Sequence, residues 1–381
     1  MESTPRILIV DDEPFNVDYL QQELEDLNCE TSTATDGRRA IEHVRTDPPD
    51  LILLDIMMPE MDGFQVLAEL QASETWRDIP VIVISALDDL DSVVRGIKLG
   101  AEDYLPKPFD PLLLKARIGA CLGRKRLRDR EVQHLQRINS ELALAWKVQS
   151  GFLPDELPQI PGWQFAAALH PSRETSGDFY DIIALPDGRL GLLVADVSGK
   201  GMGAALSMVL SRTLIRSHAA RFPTQPAAVF AATNQRILAD IHTDQFVTAF
   251  YGILDASSGT LVYCNAGHNP LYWLSAHDAG DVRTLRRTGM PLGVLEDSTW
   301  QEETISLHPG DALILYSDGI TDAQDPQGSF WGEERLLETA LANLGKTARA
   351  IQETLLGAVN GFMAGAPAFD DITLAVVVRN A

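Results

Sequence analysis

In the first third of the chain, five polar residues stand directly at the ends of short apolar runs. Asp11 and Asp12 follow ILIV, Asp55 follows LILL, Ser85 closes VIVIS, and Lys107 follows the short apolar segment at Tyr104 and Leu105. Three carboxylates gathered in one place repel one another and raise one another's pKa unless they share a cation. A hard, oxygen-seeking ion such as Mg²⁺ is the remedy. Asp55 then has the makings of a nucleophile toward a phosphoryl donor. The ion and the Lys107 ammonium neutralise phosphoryl oxygens, the Ser85 hydroxyl donates another hydrogen bond, and the product is an acyl phosphate. One aspartate at a strand end is as well explained as a helix cap. Five polar residues in this order argue for chemistry.

Such residues need a scaffold that brings strand ends together. The runs ILIV (7–10), DLILLD (50–55) and PVIVISA (80–86) alternate with the helix-like stretches VDYLQQELEDL and FQVLAELQ. This alternation predicts βαβ units and a doubly wound α/β domain with an open parallel sheet. Continuous Val/Ile/Leu runs suit strands buried on both faces. In such a sheet, ligands bind in the crevice beyond the carboxyl ends of the strands, where these polar residues fall.

A second set of carboxylates is scattered through the C-terminal half. Asp178 and Asp181 lie in SGDFYD, Asp196 in LLVADVSGKGMG, Asp318 in ALILYSDGITDA, and Asp370 with Asp371 in FDDITLAVVV. Asp196 and Asp318 each end an apolar run and the Asp370 pair opens one, so strand ends gathered at one edge would assemble them. All-oxygen ligands without Cys or His suit Mg²⁺ or Mn²⁺ rather than zinc. Two such ions side by side activate a water for in-line attack on a phosphate ester. The runs RLGLLVAD, FVTAFYGILD, TLVYCNAG, ALILYSD and TLAVVVR read as strands, and GAALSMVLSRTLIRSHAA and PAAVFAATNQRILADI as two helices. Strands grouped apart from helices predict an α+β domain with a sheet sandwich and helices outside.

Competing chemistries fail on their spacing. No cysteine is followed six positions later by arginine. Gly345, Lys346 and Thr347 imitate the end of a P-loop, but Ala340 occupies the place of its first glycine. The histidines form no H-E-x-x-H pattern, and His268 in AGHNP reads as a turn or packing residue. Gly199, Gly201 and Gly203 could suggest a nucleotide loop, yet close backbone approach beside Asp196 explains them equally well.

Between the two sets, a helix is expected from Pro111 to about Phe152, with a break near Gly123. Leu135, Ile138, Leu142 and Ala145 have the spacing of an a/d seam. Two readings stay open: a homodimer contact through a short coiled coil, or an amphipathic linker lying on its own domain. The arginines and lysine from Arg124 to Arg137 read as a solvated face. LPDELPQIPGW then breaks the helix. The expected domains are 1–122, a linker 123–152, and 153–381.

Residues 1 to about 122 resemble the receiver domain of bacterial response regulators. The resemblance rests on VDDEP, LLDIMMPEMDG with Asp55, SA with Ser85, and YLPKPF with Tyr104 and Lys107. It implies a flavodoxin-like fold, Asp55 as phosphoacceptor, and Mg²⁺ held by Asp12, Asp55 and the Met57 carbonyl with Asp11 assisting. It also implies Tyr104 as a switch residue, a cis bond between Lys107 and Pro108, and a sensor histidine kinase or phosphotransfer protein as partner.

Residues from about 146 to 381 resemble the bacterial type 2C metal-dependent serine/threonine phosphatases, in the branch that controls sigma factors by partner switching. WKVQSGFLP, RETSGDFYD, ADVSGKGMGAAL, AGHNP, SDGITDA and FDDITLAVVV carry this resemblance, in that order. It implies that Asp196 bridges two Mn²⁺ or Mg²⁺ ions, that Asp178 and the Val197 carbonyl complete one site, and that Asp318 and Asp370 hold the other. It implies Arg173 as a phosphate contact and a phosphorylated anti-sigma-factor antagonist as substrate. Ser176 stands where the family has glycine, a change expected to restrict the turn before Asp178. The rival expectation is a silent adaptor that binds a sigma-factor regulator without catalysis; the retention of Asp178, Asp196, Asp318 and Asp370 argues against it.

Composition agrees. The 381 residues carry 31 Lys+Arg against 54 Asp+Glu, a formal net charge of −23. A field of that sign repels nucleic acid and anionic lipid, which also disfavours a DNA-binding output. Cys29, Cys121 and Cys264 lie far apart without a C-x-x-C pair, so no disulfide framework or sulfur-rich zinc site is expected. The N-terminus reaches an acidic turn after four apolar residues, and no run approaches a membrane span. A cytoplasmic protein is expected.

Overall fold

Short Val/Ile/Leu runs form three of the first five strands, RILIV, LILL and VIVIS, while the polar ETSTA and the short DYLP form the other two. A computed structural model describes residues 4–86, 90–240, 244–277 and 282–381. The chain divides into two units, Met1–Arg137 and Ile138–Ala381, which are described separately.

In the first unit, β1 (Arg6–Val10), α1 (Pro14–Leu24), β2 (Glu30–Ala34), α2 (Gly37–Thr46), β3 (Leu51–Leu54), α3 (Gly63–Ala72), β4 (Val81–Ser85), α4 (Leu90–Lys98) and β5 (Asp103–Pro106) follow in order, and α5 (Pro111–Ser150) begins in this unit and ends in the second. The strands form a parallel sheet in the order β2-β1-β3-β4-β5. Alternate side chains feed two cores, Leu8, Val10, Ile52 and Leu54 on one face and Ile7, Ile9, Leu51 and Leu53 on the other. Burial on both faces is why these runs are apolar throughout. Register then sets the chemistry. Val10 pairs with Leu54 and Ser85 with Pro106, so Asp11 emerges beside Asp55, and Ser85 beside Lys107.

Helix α5 is one uninterrupted helix of 40 residues, so the break expected near Gly123 does not occur. A glycine inside a helix costs about 1 kcal/mol relative to alanine, and its neighbours offset this. Leu114, Ile118, Cys121 and Leu122 are buried in the core. Arg124 pairs with Glu102 at 2.7 Å and Lys125 with Asp50 at 3.3 Å.

The second unit contains β6 (Trp163–His170), β7 (Phe179–Ala184), β8 (Arg189–Val197), α6 (Met202–Arg221), α7 (Pro226–Asp240), β9 (Val247–Asp255), β10 (Thr260–Ala266), β11 (Leu271–Leu274), β12 (Val282–Leu285), β13 (Glu303–Ser306), β14 (Ala312–Tyr316), α8 (Asp318–Thr321), α9 (Gly332–Leu341), α10 (Ala348–Met363) and β15 (Ile372–Arg379). They build two antiparallel sheets, β13-β10-β9-β8-β7 and β12-β11-β14-β15-β6. Strand β8 shows the layering. Leu190, Leu192 and Val194 face the core between the sheets, joined by Leu271 and Val376. Leu193, Ala195 and Val197 face Met208 and Ile215 of α6 and Phe230 of α7. The period-2 alternation is the side-chain rule for strands, and it gives a sheet sandwich with helices outside, as expected.

Candidate functional site

Two polar sites lie at strand ends, one in each unit. In the first, Asp11, Asp12 and Asp55 bring carboxylate oxygens within 4.8 Å of one another. Asp11 and Asp55 are buried and Asp12 is exposed. The Lys107 ammonium donates to Asp11 Oδ2 at 2.7 Å and to Asp55 Oδ2 at 3.1 Å. Asp11 Oδ1 accepts from the Glu13 amide and the Asn16 side chain, each at 3.0 Å; Asp55 Oδ1 accepts from the Ile56 amide at 2.7 Å. Burial raises the Asp55 pKa against the opposing pull of Lys107. Lys107 rises despite burial, because hydrogen bonds and charge from Asp11 and Asp55 favour the ammonium.

The peptide before Pro108 is cis, as the resemblance implies. Ser85 is fully buried, and its carbonyl accepts the Lys107 amide at 2.8 Å. Tyr104 is buried in the core with Phe64 and Val83. Met57 is exposed beyond Asp55. Gly63 carries no signal of its own in the sequence, yet a Cβ there would collide with the Asp55 carbonyl. Asn16 was missed because nothing in its local pattern marks it as a partner of Asp11. The three carboxylates fit a hard divalent ion, and the Lys107 ammonium offsets part of their charge.

In the second unit, strand pairing again sets the positions. Phe179 pairs with Ala195, which brings Asp178 and Asp196 to one end of neighbouring strands. Tyr316 pairs with Leu374, which does the same for Asp318 and Asp370. Each carboxylate feels its neighbours. Asp196 is raised to about 7 by burial and by Asp318, Asp370 and Asp371, while its hydrogen bond with Asp178 opposes the rise. Asp178, fully buried, is raised well above the carboxylate range by burial and by Asp196. Asp318 is raised by burial and by Asp370. Such mutual repulsion fits a site built for divalent cations. These oxygens are less tightly gathered than the first trio, which is the only group of three or more potential ligands so close among the described residues.

Three supports went unassigned at the level of sequence. Asp371 is buried and accepts from the Ser172 amide, the Ser172 and Ser176 hydroxyls and the Gly177 amide at 2.7 to 2.9 Å, so it shapes the loop that carries Asp178. Thr373 donates to Asp178 Oδ2 at 2.7 Å. Gln149, in the last turn of α5, donates to the Ser176 carbonyl at 2.6 Å and accepts the Ser176 amide at 3.1 Å. Ser176, the departure from glycine, uses its hydroxyl on Asp371 and on the Asp178 amide at 3.0 Å. Val197 is buried, and its amide donates to Gly177 at 3.3 Å. Asp181 stands outside the site, paired with Arg212 and Arg216 at 2.8 Å. His268 is a packing residue, as expected, held between Thr248 and the Tyr316 carbonyl. Arg173 is exposed on the loop after β6.

A family model for Stage II sporulation protein E (SpoIIE) matches residues 186–380, just over half of the chain. The chain belongs to this family. A response regulator receiver domain model matches residues 7–119. Protein IcfG of Synechocystis sp. is 34% identical over 270 residues, which are 63% of this chain and 42% of that protein. Response regulator PleD of Caulobacter vibrioides is 47% identical over 113 residues, 30% of this chain and 25% of that protein. The chain therefore spans less than half the length of either relative. Among solved structures, the SiaA-PP2C domain of Pseudomonas aeruginosa shares the fold, with a TM-score of 0.58 at 22% identity, covering 65% of this chain and 99% of that one. The RsbU and RsbW domains of Rv1364c from Mycobacterium tuberculosis match with a TM-score of 0.51 at 28% identity, covering 60% of this chain and 63% of that one. A receiver domain is thus followed by a SpoIIE-family domain that shares the fold of the SiaA-PP2C domain. No helix among the described residues is long and apolar enough to cross a membrane.

Proposed function

We propose that this chain is a two-component response regulator whose phosphorylation on Asp55 controls a metal-dependent phosphoserine/phosphothreonine protein phosphatase. The observation that carries this reading is the set Asp178, Asp196, Asp318 and Asp370, four carboxylates at neighbouring strand ends, with Asp196 raised to about 7. Burial, reinforced by repulsion from Asp318, Asp370 and Asp371, disfavours the charged form here unless cations offset it.

In the receiver, a carboxylate oxygen of Asp55 attacks the phosphorus of a phosphohistidine. The O–P bond forms, the P–N bond breaks, and the leaving imidazole takes up a proton. Lys107, already bonded to Asp11 and Asp55, supplies positive charge to the transferred group, and Ser85 lies at the adjacent strand end to donate a hydrogen bond. Asp11, Asp12, Asp55 and the Met57 carbonyl would hold Mg²⁺, which neutralises phosphoryl oxygens when bound.

In the phosphatase domain, Asp178, Asp196 and the Val197 carbonyl would hold one Mn²⁺ or Mg²⁺, and Asp196, Asp318 and Asp370 a second. Bound together, such ions activate water and stabilise the charge that develops on the phosphate ester. Asp371, Thr373 and Ser176 fix the Asp178 loop, so the carboxylates need little reorganisation. The likeness to the RsbU-containing chain supports a phosphorylated anti-sigma-factor antagonist as substrate.

The test is hydrolysis of p-nitrophenyl phosphate with Mn²⁺, with and without beryllofluoride on the receiver. We expect metal-dependent turnover that changes with beryllofluoride and vanishes in Asp196→Asn. Absence of turnover toward both this ester and a phosphoprotein, from folded, Mn²⁺-supplied protein, would favour the adaptor instead.

A further inference from the structure

A phosphate dianion approaching Asp196, Asp318 and Asp370 enters a field of carboxylates, on a chain with formal net charge −23. Admitting an anion there takes local positive charge. Divalent ions supply part of it, and cationic side chains at the rim of the site are the source of more.

Lys200 stands at the right place. Gly199 and Gly201 on either side have φ angles of 93° and 80°, a region that disfavours any residue with a Cβ. The loop between β8 and α6 therefore turns sharply around Lys200. Its ammonium lies 2.8 Å from Asp370 Oδ2, donates to the Phe369 carbonyl at 2.7 Å, and sits 4.7 Å from the centre of the Phe369 ring. The same lysine lines a cleft of about 660 Å³ together with Ser172, Arg173, Gln324, Pro326 and Phe369. Arg173 is exposed there. Two cations thus line one cleft with a single carboxylate, Asp325, whose Oδ1 already accepts the Gln327 and Ser329 amides, and Lys200 also touches the carboxylate cluster.

We propose that Lys200 is the phosphate-binding cation of this cleft, with Arg173 beside it, and that the cleft takes a peptide segment bearing phosphoserine or phosphothreonine. This rests on the phosphatase reading above and names the residue by which that site recognises its substrate. The ammonium neutralises Asp370. When a divalent ion takes over that carboxylate, the electrostatic hold on Lys200 weakens, and its flexible four-carbon stem lets the charge move to an incoming phosphate. Arg173 offers a planar fork suited to bidentate phosphate contact.

Calorimetry on the full chain tests this. Mn²⁺ is titrated first; inorganic phosphate and a phosphoserine peptide are then titrated into Mn²⁺-loaded wild type, Lys200→Met and Lys200→Arg. Loss of a charge-assisted hydrogen bond predicts roughly tenfold weaker phosphate and peptide binding in Lys200→Met. Lys200→Arg should restore part of it, and Mn²⁺ should bind Lys200→Met at least as tightly as wild type because the competing ammonium is gone. Phosphate affinity in Lys200→Met equal to wild type overturns the proposal. Loss of Mn²⁺ binding in both variants also overturns it, because Lys200 would then support the metal loop and not the phosphate. Wild-type protein that binds Mn²⁺ but neither binds phosphate nor hydrolyses p-nitrophenyl phosphate removes the phosphatase reading itself. Wild-type turnover with an unaffected Lys200→Met removes only the role of Lys200.

Discussion

Asp55 is the residue whose chemistry is most sharply testable, because its environment separates its role from its packing. One oxygen accepts the Ile56 amide and the other the Lys107 ammonium. Asparagine keeps the shape and one acceptor but loses the nucleophilic carboxylate. Asp55→Asn should therefore abolish labelling by a small phosphodonor while leaving the fold intact. A hydroxylamine-sensitive label retained in the variant would remove Asp55 as phosphoacceptor. His268 makes a prediction of a different kind. Burial and the nearby Arg287 lower its pKa from 6.5 to about 4. The neutral ring satisfies both partners: Nε2–H donates to the Tyr316 carbonyl at 3.0 Å, and Nδ1 accepts from Thr248 at 2.9 Å. Because the folded-state pKa is depressed, the unfolded chain binds more protons between the two values. The stability involved is fully present above pH 6.5 and is lost as pH falls toward 4. A shift of this size corresponds to about 3 kcal/mol. Chemical denaturation across that window should show a shallower acid limb in His268→Gln than in wild type, and identical slopes would show that His268 does not govern it.

At the scale of elements, the strongly apolar strands were legible, while polar strands such as ETSTA and ETIS and the supports were not. Runs such as LILL, ALILY and ITLAVVV are apolar throughout because both faces are covered, so their positions and the carboxylates at their ends could be read directly. Asp371 and Thr373 could not be given roles, because their partners, Ser172 and Gly177 for one and Asp178 for the other, lie almost two hundred positions away in the chain. Strands β11 and β12 are four residues each, too short for a periodic signal. Helix α5 runs through Gly123 without the expected break, because burial of Cys121 and Leu122 and the ion pairs of Arg124 and Lys125 outweigh local propensity. A Cβ at Gly123 would meet nothing within 4 Å, so Gly123→Ala should stabilise the helix by up to about 1 kcal/mol through propensity alone. Thermal unfolding should show a higher midpoint; a lower one would mean that the glycine serves a bend or contact that the continuous helix does not have.

At the scale of the whole molecule, control of one domain by the other requires an element whose state both can bias. Helix α5 begins in the first unit and ends with Gln149 clasping the loop that carries Asp178. Between these ends it leaves Leu135 53% exposed and Ile138 36% exposed. These apolar side chains lie on the a/d seam among mostly polar neighbours, with Val132 and Leu144 also exposed on this stretch of the helix. Of the two open readings, an amphipathic linker on its own domain or a short coiled coil, we propose the second, in which the same seam of a second copy covers them. Replacing Leu135 and Ile138 by lysine places like charges across that seam and should convert a dimer into a monomer in sedimentation velocity. Neither residue touches the carboxylate cluster, so Mn²⁺-dependent turnover should persist in the double variant while its response to beryllofluoride disappears. A double variant that stays dimeric would place the contact elsewhere. One that becomes monomeric yet keeps its response to beryllofluoride would locate the control within a single chain, in the passage from receiver to Gln149.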